Sequence, residues 1–254
     1  MPSSVLLSHR HRPAPFLTEA EMTGVAIRVA NDTWWRSRER LDFVATEVVA
    51  SGARADAVGV SFDDKVIRRR LDLGIAPLTE WTAIVCACLC RDGATVGEIV
   101  SHTGLSRSGA NRSLGVALAH GALVRDERRF RISRDWDNPL RLAVAVELKL
   151  RDWQKGLSQT IRYRRWADAS WLILGAANLA VPRTAVPSGV GLLRLTPDGQ
   201  AQRGRIARRR RPSNALERIW VGEQAFMQAL ASGWRPEATE RSSMPLGDAA
   251  FAMC

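Results

Sequence analysis

Two charged residues lie two positions apart in the most strand-like segment of the chain, LAVAVELKLRDWQ at 142–154. Because side chains alternate between the faces of a strand, Glu147 and Lys149 share one face with small alanines, and the other face is apolar. Burying a carboxylate and an ammonium is costly unless each has a partner. The pattern predicts either an edge strand with a solvated ion pair, or a site where the alanines leave room for a ligand. A metal ion and an anionic substrate would supply the partners.

Lysine is the rarer basic residue of this chain, which favours the second interpretation. Only Lys65, Lys149 and Lys155 occur among the 37 basic residues, and arginine fills the other positions. A lysine ammonium is compact and has a tunable pKa, so it suits the positioning of a water molecule or an alkoxide. The helix predicted after the strand carries Gln159 and Tyr163, and their four-residue spacing places them on one face.

A strand with Glu-x-Lys, a helix with Gln-x-x-x-Tyr and a further strand together resemble the PD-(D/E)xK nucleases, in particular their RecB-like branch. The resemblance implies an α-β-β-β-α-β core and an acidic residue on the preceding strand of the sheet. Asp56 in GARADAVGV matches that acid best, on a strand reached by a predicted hairpin from ATEVVA.

The same resemblance implies metal-assisted hydrolysis of phosphodiester bonds, with Mg²⁺ or Mn²⁺ as the cofactor. Asp56, Glu147 and the carbonyl of Leu148 would hold the ion. Lys149 would orient the attacking water and stabilise charge in the transition state. The pair on the following helix, Gln159 and Tyr163, would contact the nucleic-acid backbone or support the site.

Other acidic residues also match parts of this pattern. Glu21, in a helix predicted from residue 18, corresponds to the acid of the family's first helix. Glu47 is either a further acid or the partner of Arg54 across the hairpin. Asp63-x-Lys65 also fits the Glu-x-Lys pattern, but it ends a polar strand and no Gln-x-x-x-Tyr helix follows it, so it is the weaker match.

The segment 72–136 differs in its sequence pattern from the residues on either side, which predicts a separate module. Its predicted order of helix, helix–turn–helix and hairpin resembles that of winged helix–turn–helix proteins. Asp56 and Glu147 are 91 positions apart, and an insertion between two core strands accounts for this distance if its ends lie close together. The predicted fold class is α/β (α+β), a PD-(D/E)xK-like mixed sheet flanked by helices, with an inserted winged-helix DNA-binding domain.

The charge distribution of this module predicts an oriented basic surface. Residues 106–134 carry a net charge of +5, whereas residues 72–105 carry −3. The predicted DNA contacts come from the start of the recognition helix and from the wing: Ser106, Arg107, Ser108, Asn111, Arg112, Arg128, Arg129 and Arg131. Winged helices also serve as protein-interaction modules, which is the alternative for this surface.

The predicted division of the chain is a discontinuous core, 17–64 plus 137–200, the insert 72–136, and a basic linker with a C-terminal helix, 201–254. The run RGRIARRRR at 203–211 is either a solvated linker or a phosphate-binding arm. The net charge of +11 favours a polyanionic partner, with DNA preferred among nucleic acids, although an overall bias toward arginine contributes.

The remaining composition predicts a cytoplasmic protein that does not enter a membrane. No apolar stretch approaches the roughly 20 residues needed to span a bilayer. Cys86, Cys88 and Cys90 alternate within one apolar helix, which is typical of reduced, packed thiols. The sequence allows a homodimer but does not require one.

Two functions stay open from the sequence. The first is a Mg²⁺-dependent nuclease targeted by a winged-helix module. The alternative is a non-enzymatic winged-helix DNA-binding transcriptional regulator with a degenerate nuclease-like core. The presence of Asp56, Glu147 and Lys149 together favours the nuclease.

Overall fold

The computed structural model describes residues 16–30, 40–50, 52–175, 181 and 183–236. The strands are β1 (Phe43–Ala50), β2 (Ala53–Phe62), β3 (Leu123–Asp126), β4 (Arg129–Ile132), β5 (Leu140–Lys149), β6 (Ala169–Leu174), β7 (Val190–Leu195) and β8 (Ala201–Arg205). The helices are α1 (Glu19–Arg28), α2 (Asp64–Asp72), α3 (Trp81–Leu89), α4 (Val96–Thr103), α5 (Arg107–Ala119), α6 (Trp153–Tyr163) and α7 (Ala215–Ala231).

The large sheet has six strands in the order β1-β2-β5-β6-β7-β8. Strands β1, β2 and β5 are antiparallel neighbours, whereas β6 and β7 continue the sheet parallel to β5. Helix α6 makes the crossover that parallel strands require, and β8 returns antiparallel to β7. The predicted mixed α/β fold, a mixed sheet flanked by helices, is confirmed.

Strand β5 lies in the interior of the sheet, and both of its faces are covered. Leu142, Val144 and Val146 pack with α1 and the residues around it, as predicted for an apolar face. On the opposite face, Ala143 and Ala145 are completely buried in a cluster formed with α6 and α7. The prediction that these alanines leave room for a ligand is wrong, because the space above them is filled by helices.

The segment 63–139 leaves and re-enters the sheet at one place. Phe62 at the end of β2 pairs with Leu140 at the start of β5, and the N–H of Asp63 donates to the carbonyl of Pro139 at 2.8 Å. The two ends are therefore adjacent, as expected for an insertion. Helix α2, which the sequence analysis did not predict, starts here because the Asp63 side chain accepts hydrogen bonds from the first N–H groups of the helix.

The inserted segment has an apolar core of its own, formed by α3, α4, α5 and the β3–β4 hairpin. Thr95 and Glu98 start α4 with a reciprocal capping box, and Gly104 ends it in the left-handed conformation that the tight turn into α5 requires. Cys86 and Cys90 are buried and free in this core. The predicted order of helix, helix–turn–helix and hairpin is observed.

Helix α7 connects the insert to the sheet. The Asn214 side chain caps its start by accepting from the N–H of Glu217, as its sequence predicts. Ile219 and Trp220 pack on the core of the insert, and the next turns bury Val221 and Phe226 against the sheet. One amphipathic helix thus covers two apolar surfaces and fixes the position of each relative to the other.

A fully buried ion pair lies where α7, α2 and the insert meet. Both Arg70 and Glu223 have fully buried side chains, and two parallel hydrogen bonds of 2.6 and 3.0 Å join them. Glu223 also accepts from the N–H of Leu78 at 2.6 Å, and Arg70 donates to the carbonyls of Ala76 and Asp137. The pair therefore ties α7 to both ends of the insert.

The outer edge of the sheet is covered by two glutamines of α7. Gln228 accepts from the N–H of Thr46 at 3.0 Å and donates to its carbonyl at 2.8 Å. Gln224 does the same for Val49, at 3.1 and 2.9 Å. Each side-chain amide replaces one residue of a neighbouring strand, so these positions of β1 are not open for pairing with another chain.

The predicted basic linker beginning at residue 201 is wrong for its first part. Ala201–Arg205 form β8, which pairs with β7 although its sequence AQRGR lacks apolar alternation.

Among the described residues, no helix combines the length and apolarity needed to cross a membrane.

Replacing Glu223 by alanine leaves the guanidinium of Arg70 and the N–H of Leu78 buried without their acceptor. We expect Glu223→Ala to lower the free energy of unfolding by about 3–5 kcal/mol, measured by urea unfolding. Glu80→Ala is the matched control, because Glu80 precedes α3 without making a side-chain cap. Equal stability of the two variants would contradict the role of the buried pair.

Candidate functional site

Asp56 and Glu147 come together through the register of two adjacent strands. Ala57 on β2 pairs with Val146 on β5 in an antiparallel ladder, which places Asp56 opposite Glu147 with both side chains on one face. The Asp56 carboxylate accepts the N–H of Leu148 at 2.7 Å. Residues that are far apart in the sequence therefore share one end of β5.

The Lys149 ammonium lies among oxygen atoms from three elements. Its Nζ is 2.8 Å from Glu147 Oε1, 4.0 Å from Asp56 Oδ2 and 3.6 Å from Glu19 Oε2. It also donates to the Leu148 carbonyl at 3.0 Å. The predicted residues thus form one cluster, in which a cationic group lies between carboxylates and a backbone carbonyl.

The two central carboxylates are near enough to act on one group. Because Nζ of Lys149 is 2.8 Å from one oxygen and 4.0 Å from the other, Asp56 and Glu147 approach within about 7 Å, which one hydrated cation can bridge. Among the described residues, no group of three or more His, Cys, Asp or Glu side chains is arranged to hold a metal ion.

Tyr163 at the end of α6 contacts Glu147 from the face of the sheet that this helix covers. Its buried hydroxyl donates to Glu147 Oε2 at 2.5 Å and lies 2.9 Å from the Arg54 carbonyl oxygen. Gln159, one turn earlier on α6, is half-buried, and its Oε1 has no hydrogen-bond partner. Burial and the neighbouring Glu147 raise the pKa of Tyr163, and a hydrogen bond with the Gln159 side chain partly opposes this shift. Of the two predicted roles for Tyr163, burial leaves the supporting one and rules out contact with a nucleic-acid backbone.

The electrostatics of the cluster follow from its burial. Burial raises the pKa of Asp56 and of Glu147 above their usual values, although the neighbouring ammonium and hydrogen bonds oppose this shift. Burial alone would lower the pKa of Lys149, but Glu147 and the other carboxylates outweigh it and the pKa is raised. Lys149 therefore stays charged, whereas burial makes the charged forms of Asp56 and Glu147 less favourable than they are in water.

The acid of the first helix is Glu19, not the predicted Glu21. Glu19 reaches Lys149 and also accepts the N–H of Leu150 at 3.4 Å. The Glu21 carboxylate instead accepts the N–H of Leu17, and its own N–H donates to the Thr18 side chain. Helical spacing alone does not separate the two, because Glu19 lies three residues before the buried Met22 and Glu21 lies four before the buried Val25.

Glu47 and Asp63 lie outside the cluster. Glu47 pairs with Arg54 at 2.8 Å, which was the alternative that the sequence left open, and it has a positive φ of 55°. Its charge still contributes to the raised pKa of Asp56. Asp63 caps α2 and Lys65 is exposed, so the second acid-x-Lys match is the start of a helix.

Gly156 allows α6 to lie close against the cluster. A Cβ atom at this position would come within 2.6 Å of Lys149 Cγ and 2.8 Å of Leu172 Cδ1. Any larger side chain would displace the lysine or the helix. Sequence analysis did not single out Gly156, because the requirement comes from packing between two elements.

The predicted DNA-contacting residues lie on a separate, exposed surface. Ser106 caps α5, and Arg107, Ser108, Asn111 and Arg112 are exposed at the start of that helix. The hairpin arginines Arg128, Arg129 and Arg131 are exposed as well. Two of them have internal contacts: Arg129 donates to the Gly93 carbonyl, and Arg131 lies 3.6 Å from Asp126.

Comparison of the chain with protein-family models, curated proteins and solved structures found no match in any of the three.

The raised pKa of Asp56 predicts that its charge destabilises the fold. A carboxyl that binds its proton more tightly when folded loses stability as the pH rises above its usual value, here 3.8. An asparagine amide oxygen at this position would still accept the N–H of Leu148. We therefore expect Asp56→Asn to raise Tm by a few degrees at pH 7 in EDTA, and to lose this advantage below pH 3.8.

Circular dichroism melts between about pH 3 and pH 8 would measure this effect. Asp92→Asn is the matched control, because Asp92 lies exposed in a turn. A lower Tm for Asp56→Asn than for the wild-type protein at neutral pH would show that the carboxylate stabilises the fold.

Proposed function

We propose that this protein is a divalent-metal-dependent nuclease that hydrolyses phosphodiester bonds of nucleic acid, with DNA preferred. The observation that carries the proposal is the cluster of Asp56, Glu147 and Lys149 at one end of two adjacent strands. These are the residue types that the PD-(D/E)xK resemblance implies.

The fold supports this class. With the insert set aside, the order is α1, the antiparallel strands β1, β2 and β5, then α6, then β6 parallel to β5. This is the α-β-β-β-α-β order of the PD-(D/E)xK core. Glu19 on α1 lies where the family's first-helix acid is expected.

The atoms around Lys149 are oxygens, which is the type of ligand that Mg²⁺ prefers. Mg²⁺ prefers oxygen ligands, keeps several waters and often uses one or two carboxylates. Asp56, Glu147 and the Leu148 carbonyl would hold it, and the ammonium that lies among them shows that this position favours positive charge. When bound, Mg²⁺ or Mn²⁺ would polarise the phosphate and lower the pKa of an attacking water.

The protein's own residues have distinct roles in this chemistry. Lys149 orients the attacking water and stabilises negative charge that develops on the phosphate. Tyr163 fixes the Glu147 carboxylate by its hydrogen bond, and Gly156 lets α6 approach closely enough for that bond. Asp56 is fixed by the N–H of Leu148. The site is thus preorganised by backbone and helix contacts.

The inserted segment is proposed to be a winged-helix module that binds DNA. Its two helices joined at Gly104 and its short hairpin have the order of a helix–turn–helix with a wing. The exposed polar start of α5, from Ser106 to Arg112, has side chains that bond phosphates and base edges. This module would direct the catalytic core to its substrate.

A non-enzymatic DNA-binding regulator is the second candidate. The observation that favours it is the position of the Lys149 ammonium, which already neutralises part of the carboxylate charge without a metal ion. In that case the cluster would stabilise a fold whose function lies in the inserted module. Loss of activity on mutation distinguishes the two candidates.

Cleavage assays test the nuclease directly. We expect nicking or degradation of plasmid, linear duplex or single-stranded DNA with Mg²⁺ or Mn²⁺, and none in EDTA. Lys149→Ala should lower the rate at least about 100-fold, because it removes charge stabilisation from the transition state. Lys65→Ala is the matched control, since Lys65 is exposed at the start of α2 and outside the cluster. No cleavage of any DNA or RNA form by a protein that still binds DNA would favour the regulator.

DNA binding by the module predicts a change in salt dependence. Arg107→Ala and Arg112→Ala should each weaken binding and reduce the slope of log K against log salt concentration by about 1. Arg91→Ala, an exposed arginine on the acidic part of the module, should leave both unchanged. Fluorescence anisotropy with a labelled duplex measures these effects. Equal affinities and equal salt slopes for the three variants would indicate that the basic surface contacts a partner other than DNA.

A further inference from the structure

The arginine run before α7 is held in place, although it forms neither helix nor strand. The N–H of Arg208 donates to the Gly189 carbonyl at 3.1 Å, and that of Arg210 donates to the Asp168 carbonyl at 2.9 Å. The N–H of Ser213 donates in the same way to the Arg165 carbonyl. These bonds fix the backbone along the end of α6, so the segment presents its guanidinium groups at a defined place.

That place is a cleft of about 840 Å³, lined by Arg209, Arg210, Arg211 and Arg218 together with the start of α7. Asp168 is the acidic residue of the lining, and its Oδ2 is already bonded to Arg218 and to the N–H of Ala143, both at 2.8 Å. A helix N-terminus adds partial positive charge. The cleft therefore has an excess of positive charge.

The surroundings increase this excess. Burial lowers the pKa of Arg164, and the like charge of Arg210 lowers it further. The Nε atom of Arg164 is buried without a hydrogen-bond partner. A bound anion would offset the repulsion between these guanidinium groups, and a phosphate group matches the planar donors of several arginines.

Helix α6 joins the cleft to the catalytic end of β5. Lys155 and Arg162 are exposed on this helix, and Arg165 is exposed just after it, where it lies 3.8 Å from Glu217. The helix starts just after Lys149 and ends at the cleft. Basic side chains therefore lie between the site and the arginines, with Asp152 at the start of the helix and Glu217 beside Arg165 as the acidic residues along the way.

The length of this surface suits a nucleic-acid backbone. The cleft contacts β5 at Ala143, and Lys149 is six residues further along the strand. At about 3.3 Å per residue this is roughly 20 Å. Successive phosphates of one duplex strand are about 3.4 Å apart along the helix axis, so the two ends are separated by about six base pairs.

We propose that the arginine cleft binds backbone phosphates of the substrate about six base pairs from the bond that is cut, with the outer face of α6 as the track between them. This inference rests on the proposed nuclease function and assigns a second, sequence-independent contact to the same substrate. The ligand is the phosphodiester backbone and not a free phosphate compound.

The test compares duplexes of about 6, 12 and 18 base pairs in binding assays with EDTA, where no cleavage occurs. Arg210→Ala/Arg211→Ala should weaken binding of the longer duplexes about tenfold at physiological salt and lower the salt slope by about 2. The shortest duplex cannot reach both ends and should be affected less. Arg210→Lys/Arg211→Lys keeps the charge and should keep the salt slope.

Arg235→Ala is the matched control, because Arg235 is exposed beyond the opposite end of α7. Affinities of the double alanine variant that equal those of this control at every length would overturn the inference. Inorganic triphosphate that raises the Tm of the wild-type protein, with duplex affinity unchanged in the double variant, would overturn it as well. Binding without cleavage by the wild-type protein would overturn only the proposed activity.

Discussion

The buried pair of Arg70 and Glu223 is the contact on which the relative placement of the sheet, the insert and α7 depends. A charge removed from water is tolerated only where hydrogen bonds replace its hydration. Here the backbone groups that complete the bonding come from Ala76, Leu78 and Asp137, at the two ends of the insert. The insert can therefore occupy one orientation in which all these groups are satisfied. A module joined only by its two chain crossings at the sheet would lack this constraint.

The candidate site also buries charged groups, but there the burial of the carboxylate charges lowers the stability of the fold. Asp56 and Glu147 are placed side by side on β2 and β5 with fewer bonds than their charges require. Lys149 supplies the missing positive charge in this state. The Arg70–Glu223 pair is held by hydrogen bonds on several sides, although Arg70 Nε has no partner. At the candidate site, burial raises the pKa of both carboxyl groups and so disfavours their charged forms. The two buried clusters thus use similar residues for different purposes.

Strand alternation was sufficient to predict much of the site from the sequence. The period of two placed Glu147 and Lys149 on one face, and the hairpin indicated Asp56, because these are local patterns. The Arg70–Glu223 pair joins positions 153 residues apart and leaves no local pattern. Glu19 could not be chosen over Glu21 from the sequence, because its contacts with Lys149 and Leu150 join positions about 130 residues apart. Strand β8 has no apolar alternation and is fixed by pairing with β7, and six of the nine residues of helix α2 are charged, so neither element shows a clear local pattern.

The alanines of β5 show why a correct pattern can carry a wrong interpretation. Their small size indicates space for a ligand, but Tyr163 and Trp166 of the α6 region and Phe226 of α7 fill it. This packing is what allows a helix to lie directly over the strand that carries the site. Tyr163 then reaches Glu147 from the helix side, and the open side of the cluster is left at the end of β5, near Leu150 and α1. The small residues therefore let the helix position the candidate site residues Asp56, Glu147 and Lys149, and Lys155 and Arg162 of α6 extend from that same end.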